Sequence, residues 1–289
     1  MPELPEVETI RLGLQKKIIG LKISKIQILS PKSFIGNPNL ASGRKVLNIW
    51  RIAKYLGMDL GKNTLLFHLK MTGQLIYDPS TSLRARRFIG GHPTPDMRDQ
   101  MPNSHTRVIF SFSDGSHLYF NDQRRFGWVR VVTSTEVTSN KLFKNLGPEP
   151  LEKEFTWQIL KQNLLRHKSM SVKVVIMDQS VISGVGNIYA NEACFLAGID
   201  PRTKAGDMGD REFKAIHKGV IRAIKDGIKY GGATRVHFVD AEGHKGYFLD
   251  YAYVYGRNNH RCKACGTAIK KIQLGGRGTY FCPKCQKSI

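Results

Sequence analysis

The C-terminal segment carries the feature that most restricts how this chain can fold, two Cys-x-x-Cys pairs. The pairs are Cys262/Cys265 and Cys282/Cys285, and 16 residues separate them. Each pair forms a tight turn that can place two thiolates on one metal ion, and the segment between the pairs can form a β-hairpin. Two redox pairs or four buried thiols are the alternatives, but the spacing favours one Zn²⁺ ion. Because four thiolates leave no coordination position open, we predict that this zinc is structural.

Two further features are the segment between the cysteine pairs and the remaining cysteine. The segment GGRGTYF at 275–281 suits a hairpin tip, where Arg277 can reach a phosphate. An ordinary exposed arginine is the alternative. The fifth cysteine, Cys194, lies in the apolar run ACFLAG and is predicted to be a buried helix residue.

The charge of the chain predicts the class of its partner. Among 289 residues there are 45 Lys and Arg but only 23 Asp and Glu, which gives a formal net charge of +22. Such an excess indicates a polyanion, with nucleic acid ahead of an anionic membrane surface; a solvated basic surface is the alternative that needs no partner. The sequence has no long apolar run, and its acidic start is interrupted by prolines. We therefore expect neither a membrane span nor a signal peptide.

The residue pattern changes along the chain. Apolar residues at helical spacing predict a helix over 5–19, and further helices are predicted over 153–167 and 210–230. Short β-rich runs with Gly, Asn, Asp and Pro between them predict an antiparallel sandwich or barrel from about 21 to 132. The runs are LKISKIQIL, TLLFHL, RVIFSF, HLYF and WVRVV, and SDGS at 113–116 predicts a hairpin turn between two of them. The stretch 83–104 reads as a long surface loop.

Two local patterns can carry chemistry. The turn Ser183–Ala190, SGVGNIYA, contains two glycines before a helical stretch, where a backbone can approach a phosphate and free N–H groups can face it. A tight turn between helices needs the same residues. At the N-terminus, removal of Met1 would leave Pro2 with a free secondary amine, which can attack an electron-poor sugar carbon. Glu3 beside it can move protons, although a helix-dipole role accounts equally well for a carboxylate there.

Six motifs in one order produce a resemblance to a known family. They are MPELPEVET, RIAKYL, HLKMTG, DQRRFG, GVGNIYANE and CKAC…CPKC, and they extend over nearly the whole chain. The chain closely resembles the formamidopyrimidine-DNA glycosylases of the Fpg/Nei family. The resemblance implies an α+β multidomain fold, in which an N-terminal helix and an antiparallel β-sandwich precede a helix-two-turns-helix domain with a C-terminal zinc-finger β-hairpin. We expect domain boundaries at 1–147, 148–245 and 246–289.

The resemblance also implies an activity and a set of site residues. Members of the family remove oxidised purines from double-stranded DNA and cut the abasic strand by β,δ-elimination. By motif, Pro2 matches the nucleophile, Glu3 the proton donor, and Lys54 a lysine that contacts the phosphate beside the lesion. The residues that match the family's other phosphate contacts are His68, Asn187 and Arg277. Three side chains match the group that fills the space left by the flipped base, and we call them the wedge: Met71, Arg124 and Phe126. Lys168 is assigned to the family's lysine near the damaged base.

Some expectations depend on the branch of the family. Endonuclease VIII, which prefers oxidised pyrimidines, is the alternative within it, and a non-catalytic damage-binding protein is the alternative outside it. The motifs HLKMTG and DQRRFG favour the formamidopyrimidine branch. Core packing is the other explanation for Met71 and Phe126. The segment 231–248 corresponds to the family's lesion-facing loop, and 83–104 is longer than the usual connection. We expect a cytoplasmic, nucleoid-associated bacterial monomer with no membrane partner.

Overall fold

The computed structural model of the chain describes residues 1–79, 87–91, 101–139, 141–233 and 248–288. These residues form two compact units. The first contains Met1–Lys144, and the second contains Asn145–Ala233 and the C-terminal segment. Within the described ranges, no helix is both long enough and apolar enough to cross a membrane.

The first unit begins with helix α1, Leu4–Ile18, close to the predicted 5–19. One face of the helix carries apolar residues at helical spacing, and these are buried: Val7, Ile10, Leu14 and Ile18. At the start of the helix, the carboxylate of Glu6 accepts a hydrogen bond of 2.7 Å from the backbone N–H of Glu3. That bond satisfies one of the backbone donors that a helix start leaves without an intrahelical partner.

Ten strands of this unit form two five-stranded sheets. The first sheet has the order β1-β8-β9-β6-β7 and the second β2-β10-β5-β4-β3. All pairs are antiparallel except β2 with β10. The strands are β1 Ile23–Ile28, β2 Phe34–Ile35, β3 Asn48–Ile52, β4 Tyr55–Asp59, β5 Asn63–His68, β6 Gly73–Asp78, β7 Phe88–Gly91, β8 Thr106–Phe112, β9 His117–Asp122 and β10 Trp128–Thr133. Apolar side chains from both sheets and from α1 form one core, so the predicted sandwich is confirmed.

The register of the two sheets brings two loops to the same end of the sandwich. In one sheet His68, the last residue of β5, pairs with Trp128, the first of β10. In the other, Gly73 at the start of β6 pairs with Asp122 at the end of β9. The loops 69–72 and 123–127 therefore pass side by side from one sheet to the other. We call them the crossing loops.

The stretch 83–104 is not a loop throughout. Phe88–Gly91 forms the edge strand β7 beside β6, and Phe88 is buried against α1. A side chain at Gly13 of the helix would collide with the Phe88 ring, so this contact requires glycine. The surface-loop prediction is therefore wrong for 88–91, and its parts 83–86 and 92–100 lie outside the described residues. Two apolar residues before a Gly-Gly pair are too short a pattern to predict a strand.

The second unit is mainly helical, as predicted. Its helices are α4 Trp157–Leu164, α5 Val172–Val175, α6 Asn187–Ala197, α7 Asp210–Lys229 and α8 Phe248–Tyr251, with short α2 Ser134–Ser139 and α3 Lys141–Lys144 ending the first unit. The helix predicted from 153 begins at Trp157 because the Thr156 hydroxyl caps it, accepting the N–H of Ile159. A 3₁₀ turn continues it over Leu165–His167.

Candidate functional site

Pro2 and Glu3 lie at the buried start of α1, and Glu3 is only 3% exposed. The two acids that follow have structural roles. Glu6 accepts the backbone N–H of Glu3, and Glu8 binds Arg11 and Arg51. Burial alone would raise the pKa of Glu8, but the hydrogen bonds from these arginines outweigh it and hold that pKa below its usual value.

Lys54 lies in a two-residue turn between β3 and β4, next to Ala53 at a φ of +51°. The lysine is 5% exposed. Its burial lowers its pKa, while the charges of Glu3 and Glu6 act in the opposite direction. The ammonium group therefore lies within electrostatic range of the carboxylates at the start of α1. The structure thus places the Lys54 ammonium close enough to Glu3 for their charges to interact.

His68 is a neutral hydrogen-bond donor in this arrangement. Its Nδ1 accepts the backbone N–H of Lys70 at 3.0 Å, so the proton of the neutral ring resides on Nε2. Burial lowers the pKa of His68 to about 3, and the charges of Lys70 and Lys54 act in the same direction. The ring of Tyr55 meets the imidazole edge-on, with centroids 4.6 Å apart. His68 therefore offers one N–H at neutral pH without a positive charge.

The wedge residues lie on the crossing loops. Phe126 is 55% exposed, and the guanidinium of Arg124 lies 4.9 Å from the centre of its ring. Met71 is half-buried on the other crossing loop. Each loop also holds one non-glycine residue in the left-handed region, Lys70 at φ +49° and Arg125 at φ +57°. The exposure of Phe126 excludes core packing as the reason for that residue.

In the second unit the glycine turn leads directly into α6. Gly184 adopts a φ of +85°, and Asn187 is the first residue of the helix. The side chain of Gln179 holds the turn: it accepts the N–H of Gly184 at 2.9 Å and donates to the carbonyl of Val185 at 2.8 Å. The turn therefore presents the N-terminus of an 11-residue helix, which favours anions.

A lysine that the sequence reasoning did not single out controls the side chain of Asn187. Lys173 is fully buried, and its Nζ donates to Asn187 Oδ1 at 2.6 Å. Asn187 Nδ2 in turn donates to the carbonyl of Gly278 at 3.1 Å. The available signal was a single cation in the apolar run SVKVVI. Lys168, five residues earlier, is exposed at the end of a 3₁₀ turn, and its assignment stays a prediction.

The predicted hairpin between the cysteine pairs is confirmed. Strands β11, Lys270–Leu274, and β12, Arg277–Phe281, are joined by Gly275 and Gly276, both with positive φ. The tip lies against α5, because a Cβ at Gly275 would be 2.9 Å from the side chain of Val174. Arg277 is exposed immediately after this tip.

The four clustered cysteines fit a zinc ion. Their sulfur atoms lie within 4.8 Å of one another. The Sγ atoms of Cys262 and Cys285 are 3.9 Å apart, and those of Cys265 and Cys282 are 3.4 Å apart. A tetrahedron with Zn–S bonds of about 2.3 Å has sulfur–sulfur edges of about 3.8 Å. The two measured separations lie on either side of this value, so the site holds one structural zinc ion.

Two remaining predictions concern residues away from this centre. Cys194 is fully buried in α6, as predicted, and burial raises the pKa of its thiol to about 12. It therefore stays a neutral thiol, and it lies outside the cluster of four cysteines. The predicted lesion-facing segment 231–248 lies almost entirely outside the described residues, so its Arg235 and His237 are not placed.

Comparison with protein families matches each part of the chain in turn. The N-terminal domain of formamidopyrimidine-DNA glycosylase matches residues 1–129, and its H2TH domain matches 146–238. A zinc finger found in FPG and IleRS matches 259–287. This last match includes all four clustered cysteines.

Similar proteins extend over the full chain. Formamidopyrimidine-DNA glycosylase from Hahella chejuensis is 40% identical, over 99% of this chain and 100% of the relative. The enzyme from Pelotomaculum thermopropionicum is 38% identical, over 99% of both chains. A Lactococcus lactis FPG variant solved with DNA that contains Fapy-dG superposes with a TM-score of 0.84 at 30% identity, covering 99% of this chain and 100% of that one. The chain therefore belongs to the formamidopyrimidine-DNA glycosylase family and is a DNA glycosylase of base-excision repair.

Proposed function

We propose that this glycosylase excises oxidised purines, 8-oxoguanine and formamidopyrimidines, and then cuts the abasic strand by β,δ-elimination. The observation that carries the proposal is the buried start of α1, where Pro2 and Glu3 are adjacent and the Glu3 carboxylate lies within electrostatic range of the Lys54 ammonium. A secondary amine, a carboxyl group and a cation at one place are the groups that amine-based excision of a base requires.

The chemistry begins after Met1 is removed, because the nitrogen of Pro2 is otherwise an amide and not a nucleophile. The amine attacks C1′ of the damaged nucleotide and the bond to the base breaks, and the proton that the amine nitrogen loses balances the proton that the departing base takes up. The C1′–O4′ bond then opens, with Glu3 supplying a proton to O4′, and a proline iminium is left at C1′. This iminium cannot lose a further N–H, so it stays cationic and acidifies the neighbouring C2′–H. Removal of that proton expels the 3′ phosphate, and a second elimination expels the 5′ phosphate.

The remaining site residues hold DNA. His68, Arg277 and the N-terminus of α6 contact phosphates, with the amide of Asn187 kept in place by Lys173. Lys54 contributes its charge to a phosphate beside the lesion. The wedge residues fill the stack after the damaged base leaves it, which offsets part of the lost stacking. The Phe126 ring supports this role, because it is an apolar surface exposed on a crossing loop, where a base stack can cover it. We expect a monomer to carry out these steps.

The nucleophile is tested by borohydride trapping on an 8-oxoguanine duplex. The active protein should lack Met1 by intact mass and form a covalent complex with the DNA, and Pro2→Gly should trap and cleave much more slowly. Pro5→Ala changes a nearby proline in the first turn of α1; it is the matched control and should trap like the wild type. Equal rates for Pro2→Gly and the wild type would show that Pro2 is not the nucleophile.

The proton donor is tested by separating excision from binding. Glu3→Gln should abolish base excision but leave duplex affinity close to that of the wild type, because the phosphate contacts remain. If binding and excision fall together, Glu3 has a folding role instead.

A second substrate class has one observation in its favour. A Lactococcus lactis Fpg was solved with DNA that contains an oxidized pyrimidine, and it covers 99% of this chain at 30% identity. Relative excision rates decide between the classes. We expect 8-oxoguanine opposite cytosine to be excised faster than thymine glycol, and the reverse order would assign the chain to the pyrimidine-specific branch.

A further inference from the structure

One buried carboxylate joins the two crossing loops. Asp122 is the last residue of β9 and is fully buried. Its Oδ1 accepts the hydroxyl of Thr72 and, at 3.2 Å, the backbone N–H of Arg124. Its Oδ2 accepts the N–H of Gly127 at 2.6 Å. Thr72 follows Met71 directly on the first crossing loop. The Asp122 carboxylate therefore connects this loop with both ends of the second crossing loop, which carries Arg124 and Phe126.

The hydroxyl of Thr72 closes the connection. Besides donating to Asp122, it accepts the backbone N–H of Arg124 at 3.0 Å. This hydroxyl of the Met71 loop therefore bonds both the Asp122 carboxylate and the backbone of the opposite crossing loop. Removing this single oxygen would separate the loops without removing the carboxylate.

Asp122 is itself held by its surroundings. Its N–H donates to the carbonyl of His105 at 2.9 Å, and its own carbonyl accepts Nε of Arg107 at 2.8 Å. Arg107 is 6% exposed and also donates to Ser104 at 3.0 Å. A Cβ at Gly127 would be 3.0 Å from Asp122 Oδ2, so glycine permits this close approach. These contacts hold the Asp122 carboxylate in a fixed position at the end of β9.

We propose that Asp122, acting through Thr72, is a positioning residue that holds the two crossing loops together so that Met71, Arg124 and Phe126 enter the duplex as one preformed wedge. The inference rests on the proposed wedge function. Both loops contain left-handed residues, Lys70 and Arg125, which are costly conformations that need support from their surroundings. Preforming the wedge removes the ordering cost from the step in which the base leaves the stack.

The matched pair Thr72→Val and Thr72→Ser tests this connection. Valine has the shape of threonine without the hydroxyl, and serine keeps the hydroxyl. The measurement is single-turnover excision of 8-oxoguanine beside strand cleavage at a preformed abasic site in the same duplex. Thr72→Val should slow excision about tenfold, as expected for loss of hydrogen bonds that involve a charged group. Thr72→Ser should restore it to within about threefold of the wild type.

Cleavage at the abasic site separates positioning from general damage. No base has to be unstacked there, so Thr72→Val should change its rate by less than about twofold. Asp114→Asn is the control carboxylate: Asp114 accepts the N–H and hydroxyl of Ser116 in the β8–β9 turn, at the other end of the same strand pair. It should leave both rates unchanged. Equal excision by Thr72→Val and Thr72→Ser, or equal losses of excision and abasic cleavage, would overturn the inference.

Met71→Ala separates this inference from the function on which it rests. If Met71→Ala slows excision while Thr72→Val and Thr72→Ser do not differ, the wedge stands and only the role of Asp122 is wrong. If Met71→Ala excises at the wild-type rate, the wedge itself is wrong and the positioning role is lost with it. A 2-aminopurine placed beside the lesion gives an independent signal, because its fluorescence should rise more slowly with Thr72→Val than with Thr72→Ser.

Discussion

The two units position their site residues by different physical means. In the first unit, residues distant in sequence meet because sheet register brings strand ends together. His68 pairs with Trp128 in one sheet, and Gly73 pairs with Asp122 in the other. In the second unit, the hairpin that carries Arg277 is short and mostly exposed, so it has little apolar core of its own. A zinc ion, a buried lysine and a glycine tip hold the hairpin there instead.

The difference corresponds to two functional requirements, the positioning of reacting groups and the binding of DNA phosphates. Proton transfer and covalent attack need groups fixed to fractions of an ångström, and a packed sandwich provides such rigidity. Phosphate contacts need a correctly aimed donor on a small element, and a metal can supply the folding energy that such an element lacks. The predictions below remove each kind of support in turn.

Removing the zinc should have the largest effect. Cys282→Ser takes away one thiolate, and in isolated finger peptides a structural zinc contributes about 10 kcal/mol or more of folding energy. Without the metal, the segment that carries Arg277 should lose its structure, and duplex affinity should fall by at least about 100-fold. Zinc content, measured by metal analysis, should fall below one ion per chain.

Cys194→Ser is the matched control for the zinc prediction. This thiol is buried in α6 outside the metal cluster, so serine should cost stability but change neither zinc content nor excision rate. An active wild-type protein without zinc, or a Cys194→Ser variant that loses the metal, would contradict the assignment.

The buried lysine should matter for binding more than for stability. Lys173→Met removes the donor to Asn187 Oδ1, but it also removes a buried charge, and these effects on stability oppose each other. The melting temperature should therefore change little. Duplex affinity should fall about tenfold, because the Asn187 amide and the adjoining hairpin lose a fixed orientation.

Lys168→Met provides the comparison for Lys173→Met. It removes the same charge from an exposed position five residues earlier. If the exposed lysine is the more important for affinity or excision, the buried chain from Lys173 through Asn187 to Gly278 is only structural, and the motif-based assignment of Lys168 gains support.

The sequence predicts elements well where one residue pattern extends over a whole element. Helix α1, helix α7 and the longer strands follow from apolar spacing, and the zinc hairpin follows from cysteine spacing. The turn that carries Lys54 does not, because Ala53 adopts its left-handed conformation without a Gly or Asn to signal it. Nor does the partnership of Thr72 with Asp122, which are 50 residues apart and meet only through sheet register.

Lys173 shows a different limit of sequence reasoning. A lysine between valines is equally consistent with an exposed position on a short helix, and only the tertiary packing shows that it is buried. The motifs thus predict which residues belong to the site, whereas the groups that hold those residues in place emerge from contacts between distant segments.

The effect on stability that is smallest at neutral pH concerns the protonation of His68, and it grows only on acidification. In the folded protein burial lowers the pKa of His68 to about 3, while an unfolded histidine titrates near 6.5. Between these values the unfolded state binds a proton that the folded state does not, so stability falls as the pH drops from about 6.5 towards 3. The slope from this group approaches about 1.4 kcal/mol per pH unit. Urea unfolding at several pH values should show this slope in the free energy of unfolding of the wild type. The slope should be absent from His68→Gln.

The variants His68→Asn and His68→Gln then show which ring nitrogen of His68 hydrogen-bonds to DNA. Asparagine can place its oxygen where Nδ1 accepts the Lys70 N–H, but it loses the donor at Nε2. Glutamine can place an N–H near Nε2. Affinity should therefore fall about tenfold in His68→Asn and less than about threefold in His68→Gln. Because His68 stays neutral above about pH 3, its contribution to wild-type affinity should also be constant between pH 5 and 8. A wild-type affinity that rises on acidification through pH 6.5 and loses this rise in His68→Gln would mean that a charged imidazolium makes the contact.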